Sequence, residues 1–477
     1  MIFTSYTYVA FLFAVFLLHW IAPITWRKPI LIIASYVFYC SWKWQYGFLL
    51  LGVTFFNWSY GRWVLAKTTS GSRLAFGILI NLAPLVYYKY AGFLVSNYTG
   101  LLGLLGIPDH IHIPSIILPL GISFFTFQGI AYLIEVAGGE EPIRRLVNFM
   151  LFKAFWPQLI AGPIIRPGEM HWQLLTPRTL SYANFAFGGR RILAGFFKKV
   201  VLADTLAPFV DMAFLPGASV NAIDVAVGTI GFGLQIYFDF SGYSDIAIGT
   251  ARLFGFVFPE NFDWPYLARS PQEFWTRWHM TLTRWIRDYI FTPLTFAARR
   301  HPNSWPVWLL VAMAACGLWH GAQWTFVCWG VWHGLLLVAN HTVLRRLFPL
   351  PSASGDQTFG WRGIFCCAVT FGLVTLGWIL FRAESLAQAW GMTHALFTLK
   401  GGYRPAVIRE NIVLIVLAIL AGMAALAALN RISRDFIVRW RTWQVVEDVL
   451  KPIVFASMII AVIVFDSEAK AFVYFQF

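Results

Sequence analysis

The amino-acid sequence predicts an all-α fold, a polytopic bundle of membrane helices, and three observations lead to this prediction. The chain of 477 residues is 58% hydrophobic and only 12% charged, whereas about 25% of the residues in an ordinary soluble domain carry charge. Apolar runs close to the roughly 20 residues that cross a bilayer recur along the whole length. The basic residues fall in short clusters between these runs, as is typical of cytoplasmic loops.

The apolar runs define the predicted helices. Some runs are short for a complete crossing, so we expect roughly ten to thirteen membrane helices, with some re-entrant or interfacial, around a central cavity. No stretch of soluble composition is long enough to separate two domains, so residues 1–477 are expected to form one membrane-embedded domain. The runs extend over residues 8–24, 29–56, 74–95, 116–136, 146–165, 192–215, 222–258, 305–319, 324–343, 364–381, 412–429 and 453–465.

The first helices also predict an orientation. The first apolar run starts close to Met1 without a basic segment or a small-residue cleavage site, which favours a retained helix over a signal peptide. Basic residues at positions 27–28 and within 62–73 predict two cytoplasmic loops. The run between them, broken at residues 41–43, should therefore enter and leave the membrane as a hairpin, tilted or re-entrant. The N-terminus is then expected outside the cytoplasm.

Charge and cysteine content exclude several classes of protein. The net charge of +14 is distributed as loop clusters, which indicates contact with a lipid bilayer and not with nucleic acid. The five cysteines all lie in apolar runs, where small buried side chains are expected in preference to disulfides. No HExxH motif or paired CxxC motif is present, so no metal site is predicted, and no GxSxG, Walker or GxGxxG motif is present either.

An amphipathic helix is predicted from Ser270 onward. Serine as N-cap, Pro271 at the first helical position and Glu273 at the third form a helix-start signature. On a continuous helix the charged residues would pair as Glu273 with Arg277 and Arg284 with Asp288. His279 would lie at the edge of the apolar face, which is formed by Phe274, Trp278, Leu282, Trp285 and Tyr289.

Two histidines are the candidate catalytic residues, because a polar ring in apolar sequence is costly to bury without a partner or a function. For His279 the alternative is a packing ring that makes one hydrogen bond. His320 follows a run, 305–319, that is roughly five residues short of a span. A helix that stops within the bilayer is tolerated where its end faces protein or a wet cavity, so a buried, hydrated site is expected at His320. His333 is rotated from it by about 220° on a helix, and is assigned a supporting role.

Two further segments carry polar groups in costly positions. Asp239 and Asp245 lie within a long apolar run, where carboxylates are usually paired or functional. On a continuous helix Asp245 would share a face with Arg252, and both an ion pair and a substrate contact remain open; Ser241-Gly242 could interrupt that helix. Arg166, at the end of PQLIAGPIIRP, is either a boundary anchor or a phosphate contact.

Several segments in matching order resemble the membrane-bound O-acyltransferase family, and within it the bacterial branch of alginate and peptidoglycan O-acetylation proteins. The similarity extends from the N-terminal region to about Arg382, which places the core at about 110–382 and leaves 383–477 as C-terminal helices. The loop FAARRHPNS departs from the glycine-rich GGNR-type loop of many relatives. The segments are LPLGISFFTFQGIAYLIEV, PQLIAGPIIRP, IYFDFSGYSDIAIG, PENFDWPYLARSPQEFWTRWHMTLTRWIRDYIFTPL and GLWHGAQWTFVCWGVWHG.

The resemblance implies a helical core that binds an acyl thioester from the cytoplasm, with His320 as the family's shared histidine and His279 as the second active-site position. Acetyl-CoA is the implied donor substrate, and no permanently bound cofactor is expected. We expect His320 to act as the base on the incoming hydroxyl, because imidazole titrates near neutral pH, and His279 to bind or polarise the thioester carbonyl. Further substrate contacts are assigned to Trp278, Arg287, Asp288, Trp319, Tyr243, Ser244, Asp245 and Arg166.

The resemblance also implies a location and partners. The protein is expected in the bacterial cytoplasmic (inner) membrane as a multi-pass protein. It should pass the acetyl group to an extracytoplasmic SGNH-type acetyltransferase or a polysaccharide-export complex, for O-acetylation of a cell-surface polysaccharide. Two alternatives are D-alanyl transfer from a carrier protein toward teichoic acid and a polytopic transporter with structural histidines.

Overall fold

The computed structural model describes residues 1–67, 70–107, 116–217, 220–344, 361–399 and 441–465, with a few positions between 412 and 422 and residues 472–473. Within these ranges the chain forms helices and loops and no strand, which confirms the predicted all-α class. Most of the predicted run 412–429 lies outside the described residues. So do two of the basic clusters between apolar runs, at 345–346 and 431–440.

The helices follow one another with short connections, and π-helical turns extend α4, α10, α14 and α17 at their C-terminal ends. In chain order they are α1 (Tyr6–Ile21), α2 (Ile24–Cys40), α3 (Gln45–Trp63), α4 (Gly71–Leu85), α5 (Ala91–Leu104), α6 (Ile122–Ala137), α7 (Leu146–Ala154), α8 (Trp156–Leu159), α9 (Pro167–Leu175), α10 (Tyr182–Phe196), α11 (Asp204–Ala213), α12 (Ala222–Leu253), α13 (Pro271–Arg277), α14 (Met280–Ile286), α15 (Thr292–Ala297), α16 (Trp305–His320), α17 (Trp324–Ala339), α18 (Trp361–Arg382), α19 (Leu386–Phe397) and α20 (Arg441–Phe465).

Membrane-spanning length is reached by four helical stretches within the described ranges. They are 71–104, which joins α4 and α5, then α12, residues 324–343 and α18. Shorter apolar helices include α1 and α6. The α2–α3 hairpin is present and turns at residues 41–44, as the break in the sequence predicts. The total number of spans stays a prediction.

Helix α12 forms the centre of the bundle and is buried along most of its length. The predicted interruption at Ser241-Gly242 is wrong, because the helix continues from Ala222 to Leu253. Gly242 serves close packing instead: a Cβ atom there would lie 2.8 Å from the Gly195 carbonyl oxygen of α10. The same pair of helices meets again at Gly188 and Gly249, where a Cβ on Gly188 would lie 2.8 Å from the Gly249 carbonyl oxygen.

The predicted amphipathic helix after Ser270 is correct at its start and wrong in its continuity. The Ser270 side chain accepts from the Glu273 amide at 3.1 Å, and Arg277 pairs with Glu273 at 2.7 Å. However, α13 ends at Arg277 and α14 begins at Met280. His279 lies between them with φ of 40°, a left-handed conformation that is uncommon for a side chain with a Cβ atom. This turn removes His279 from the helix face that a continuous helix would give it.

Candidate active site

The turn between α13 and α14 places His279 in the interior, where its side chain is fully buried. Its Nδ1 lies 3.1 Å from Oδ1 of Asn261, in the loop after α12. Its Nε2 is buried and has no hydrogen-bond partner among the described residues. The ring packs edge-on against Phe240 of α12, with the centroids 4.6 Å apart. His279 is therefore held by one polar contact and presents a second nitrogen to an apolar interior.

His320 is the last residue of α16, and its side chain is also buried. The helix ends there, as the short apolar run predicts, and the carbonyl groups of its last turn need donors. Lys89, in the turn that follows α4, donates to the carbonyls of Trp319 at 2.6 Å and His320 at 3.0 Å. Tyr90 donates to the Leu318 carbonyl at 3.0 Å. These donors stabilise a helix end inside the protein.

Trp319 lies between the two histidines. The centroid of its indole is 4.7 Å from the His320 ring and 5.9 Å from the His279 ring. Phe124 and Phe127 also lie beside it, each with its ring centroid 5.5 Å away, and Phe127 stacks on Trp285 at 3.7 Å. The indole N–H is buried without a hydrogen-bond partner among the described residues. The structure thus brings together His279, His320 and Trp319 at one buried position.

A cavity of about 280 Å³ reaches this position. His320 and Trp319 form part of its wall, and Trp42, from the turn between α2 and α3, lies at another part. Lys89 and Ser123 supply further polar groups, while the remaining lining comes mainly from the apolar residues 117–122. Predominantly apolar walls with a few placed polar groups are typical of small-molecule sites.

His333 and Trp278 occupy a neighbouring aromatic layer. The His333 ring is buried in contact with Trp329 at 4.8 Å and Trp275 at 5.3 Å. Trp278, beside His279, packs against Phe262 and Trp378, each at 5.1 Å. Both side chains therefore pack among aromatic rings, and the supporting role of His333 stays a prediction.

Arg166, Arg287 and Asp288 form a charged cluster at one end of α14. Arg166 Nη2 lies 2.7 Å from Asp288, and Arg287 Nε lies 2.6 Å from the same carboxylate. Partial burial acts to raise the pKa of the Asp288 carboxyl, but hydrogen bonds from Arg287 and Arg166 outweigh it, and the pKa lies below its ordinary value. The predicted pairing of Arg284 with Asp288 is wrong, because Arg284 contacts Glu169 of α9 at 3.3 Å.

The residues predicted on α12 have separate surroundings. The Tyr243 ring stacks on Phe3 at 4.4 Å. Ser244 accepts a hydrogen bond from Asn261 Nδ2 at 3.2 Å and is thereby linked to His279 through one residue. Asp239 pairs with Lys199 at 2.6 Å, as expected for a carboxylate in a costly position.

The predicted pair of Asp245 with Arg252 is wrong. Asp245 pairs with Arg191 at 2.8 Å and with Lys198 at 2.7 Å, both on the chain segment that begins with α10. The Arg252 guanidinium instead lies over the Phe187 ring, 5.2 Å from its centroid. Because α10 packs against α12, the two basic side chains reach Asp245. The separation of seven residues between Asp245 and Arg252 on α12 does not decide the pairing.

Two residues that contact the site, Asn261 and Lys89, were not among the sequence-based candidates. Asn261 lies in PENFDWPY, a loop with little apolar periodicity, where a lone asparagine suggests only a turn. Lys89 lies inside the apolar stretch YYKYAGF, and a cation within such a stretch is itself a signal of function or pairing. Among the described residues, no group of three or more His, Cys, Asp or Glu side chains is arranged to hold a metal ion.

The fold and this site define a class: a polytopic helical membrane protein with two buried imidazoles on a shared tryptophan, one of which, His320, lies at the wall of a mostly apolar cavity. The model of the MBOAT, membrane-bound O-acyltransferase family matches residues 143–380. The probable alginate O-acetylase AlgI of Azotobacter vinelandii is 38% identical over 410 residues, 83% of this chain and 78% of the relative. The chain belongs to the membrane-bound O-acyltransferase family, and it is an acyltransferase.

Other relatives differ in what their names state. The peptidoglycan O-acetyltransferase of Helicobacter pylori is 33% identical over 405 residues, 78% of this chain and 74% of the relative. The teichoic acid D-alanyltransferase of Streptococcus thermophilus is 31% identical over 287 residues, 55% of this chain and 68% of the relative. The family model covers α7 to all but the last two residues of α18, and both His279 and His320 lie within it.

Lys89→Met is expected to destabilise the protein by about 1–3 kcal/mol, because two buried carbonyls at the end of α16 lose their donor. Acyl transfer should fall as well, since those carbonyls belong to Trp319 and His320. Thermal unfolding in detergent and the rate of acyl transfer measure the two effects. Lys451→Met, at an exposed position of α20, makes the same chemical change on a different helix and should leave both values near wild type.

Proposed function

We propose that this protein takes an acetyl group from cytoplasmic acetyl-CoA and passes it across the membrane for O-acetylation of a cell-surface polysaccharide. The observation that carries the proposal is the pair of buried histidines on Trp319, beside a cavity in a membrane-embedded core. Its family is that of O-acyltransferases, and relatives over most of the chain are named for alginate or peptidoglycan O-acetylation.

The chemistry needs a base and a donor to the developing negative charge. A hydroxyl oxygen attacks the thioester carbonyl, a C–O bond forms and the C–S bond breaks. In our proposal His320 takes the hydroxyl proton, His279 lies at the thioester carbonyl, and the proton finally goes to the departing thiolate. The unpartnered indole N–H of Trp319 is a candidate donor to the carbonyl oxygen, because a donor held in an apolar setting needs no reorganisation during the reaction.

The donor is proposed to enter at the end of the bundle that carries the basic loops. Arg62, in the last turn of α3, donates to the Arg144 carbonyl in the loop after α6. Near the end of α6, Glu135 accepts a hydrogen bond from the Tyr289 hydroxyl at 2.5 Å. The guanidinium carbon of Arg166 lies over the Tyr289 ring, 5.4 Å from its centroid. Arg166 and Arg287 therefore lie at this end, where they could hold the phosphates of acetyl-CoA in exchange for their contacts with Asp288.

The acceptor is proposed to approach from the opposite end. The cavity that reaches His320 is lined by Trp42 of the α2–α3 turn, and that turn is separated from both flanking basic loops by the length of one helix. Met1 donates to Ser41 in the same turn, in agreement with an extracytoplasmic N-terminus. We place this protein in a bacterial inner membrane. The proposed partner at this end is a separate SGNH-type acetyltransferase or a polysaccharide-export complex.

Transport of label across a sealed bilayer tests this proposal. The proteoliposomes enclose the host's extracted surface polysaccharide and the envelope fraction that contains the partner. Labelled acetyl-CoA is added outside them. We expect labelled polysaccharide and an equal amount of free CoA with the wild-type protein, and neither with His320→Ala. Turnover that is unaffected by this variant, or label that crosses without thioester cleavage, would contradict the proposal.

D-alanyl transfer is the second candidate, since one relative is a teichoic acid D-alanyltransferase. It predicts that acetyl-CoA is ignored and that a D-alanyl carrier protein is the active donor. Competition between the two donors in the same proteoliposomes separates the two activities.

A further inference from the structure

We propose that Asn261 is a positioning residue that holds His279 in the tautomer with hydrogen on Nδ1 and leaves Nε2 as the basic nitrogen. The inference rests on the proposed function for its catalytic consequence, but the tautomer itself follows from the hydrogen bonds around Asn261. It assigns a task to a buried side chain that lies 18 positions before His279 in the chain and in a different structural segment.

The identity of the atom that faces His279 is decided by Thr281. The Thr281 backbone N–H, which can only donate, points to the same Asn261 atom at 3.3 Å, and the Thr281 hydroxyl lies 2.8 Å from it. That atom must therefore be the amide oxygen. At the other side of the amide, Nδ2 donates to Ser244 at 3.2 Å. Rotating the amide by half a turn would set an N–H group against the Thr281 N–H.

The tautomer of His279 follows because a carbonyl oxygen can only accept. His279 Nδ1, at 3.1 Å from that oxygen, must carry the hydrogen. In the neutral ring the other nitrogen, Nε2, then carries a lone pair. It is buried and has no hydrogen-bond partner among the described residues, so its acceptor capacity is available to a bound substrate.

Asn261 is itself held firmly. Its side chain is fully buried, and its backbone carbonyl accepts from the Met280 amide at 2.9 Å. The Thr281 hydroxyl that donates to it also accepts from the Ile164 amide at 3.0 Å. The left-handed backbone at His279 is therefore followed by two residues, Met280 and Thr281, that are both bonded to Asn261. The same asparagine thus fixes the turn and the ring.

This tautomer restricts how His279 can donate and accept protons during the reaction. Nε2 gains a hydrogen only when the ring takes up a proton, and His279 then becomes an imidazolium whose Nδ1–H still donates to Asn261. His279 can therefore act on the thioester carbonyl as a donor only in this charged form, and it keeps its Nε2 proton through the turnover, because the departing thiolate receives the hydroxyl proton from His320. The orienting role corresponds to that of the carboxylate in a Ser-His-Asp triad, where loss of the correct tautomer costs orders of magnitude in rate.

Solid-state ¹⁵N NMR of the full-length protein in lipid, with labelled histidine, tests the tautomer directly. The His279 signals are assigned by their loss in His279→Gln. At a pH where the ring is neutral we expect a protonated Nδ1 and an unprotonated Nε2. Asn261→Leu should abolish this preference. Thr281→Val removes the hydroxyl that donates to the same oxygen and accepts from the Ile164 amide, but it keeps the Thr281 N–H that donates to this oxygen, and it should retain the preference. A wild-type ring with hydrogen on Nε2 would overturn the inference.

Kinetics supply the second readout and a variant that keeps the acceptor. Asn261→Leu should lower kcat by at least about 100-fold with little change in KM for the donor, and Asn261→Asp, which retains an oxygen toward Nδ1, should recover a large part of that loss. Unchanged kcat in Asn261→Leu would contradict the positioning role. If the expected tautomer is found but no acetyl transfer occurs with any variant, the proposed function fails and the assignment of the tautomer stands.

Discussion

Replacement of His320 by alanine is expected to lower the acyl-transfer rate by about 10²- to 10⁴-fold, the usual contribution of a general base. The ring lies at the end of α16, 4.7 Å from Trp319 and beside the cavity, and in the proposed reaction it takes the hydroxyl proton. The measurement is the release of CoA from acetyl-CoA and the transfer of label in proteoliposomes, with the purified variant at equal protein concentration.

The controls for this prediction separate chemistry from folding. His320→Ala also leaves a cavity against Trp329 and Phe381, whose rings lie 5.0 and 5.3 Å away, and such a cavity costs a few kcal/mol. His320→Gln preserves most of the volume and should be equally inactive with a smaller loss of thermal stability. His341→Ala removes an exposed histidine that packs on Trp305 and should remain active. Near wild-type transfer by both His320 variants would rule out the ring as the base.

Gly317→Ala and Gly330→Ala are each expected to lower the free energy of unfolding by about 1–3 kcal/mol or more. A Cβ on Gly317 of α16 would lie 2.1 Å from the Phe326 carbonyl oxygen, and a Cβ on Gly330 of α17 would lie 2.1 Å from the Met313 carbonyl oxygen. Both contacts involve backbone atoms, which cannot rotate away as a side chain can. The two helices would have to separate, and this hairpin carries His320.

The measurement is thermal unfolding in detergent together with the yield of folded protein. Gly372→Ala in α18 is the matched control, since a Cβ there has no neighbour within 4 Å, and it should be neutral or slightly stabilising. If Gly317→Ala and Gly330→Ala both unfold at the temperature of the control, the close approach of α16 and α17 would be wrong.

The parts of the fold that depend on local sequence could be predicted. The cap at Ser270, the turn between α2 and α3 and the end of α16 at His320 each follow from neighbouring residues, because caps, loop residues and the length of an apolar run act over a few positions. His279 and His320 could be identified as candidates for the same reason: a polar ring in an apolar run is visible from composition alone.

The partners of these side chains could not be predicted, because each lies far along the chain or depends on an unusual backbone. Lys89 meets a helix end 230 and 231 positions away. Asp245 pairs with Lys198 and Arg191, which lie 47 and 54 positions away on another helical segment. It does so although Arg252 would share a face with it on the same helix. The left-handed backbone conformation at His279 cannot be predicted from a glycine, because the residue is a histidine. Its conformational free-energy cost is offset by hydrogen bonds from Met280 and Thr281 to Asn261.

By itself, therefore, the sequence determined that this is a helical membrane protein with two histidines in costly positions, since hydrophobic burial and helix termination are encoded in short stretches. Only the tertiary structure decided that both rings meet at Trp319, that a cavity reaches one of them, and that Asn261 fixes the hydrogen of the other. Those facts require segments distant in sequence to pack within a few ångströms, and no periodicity or spacing in one segment records which other segment it will meet.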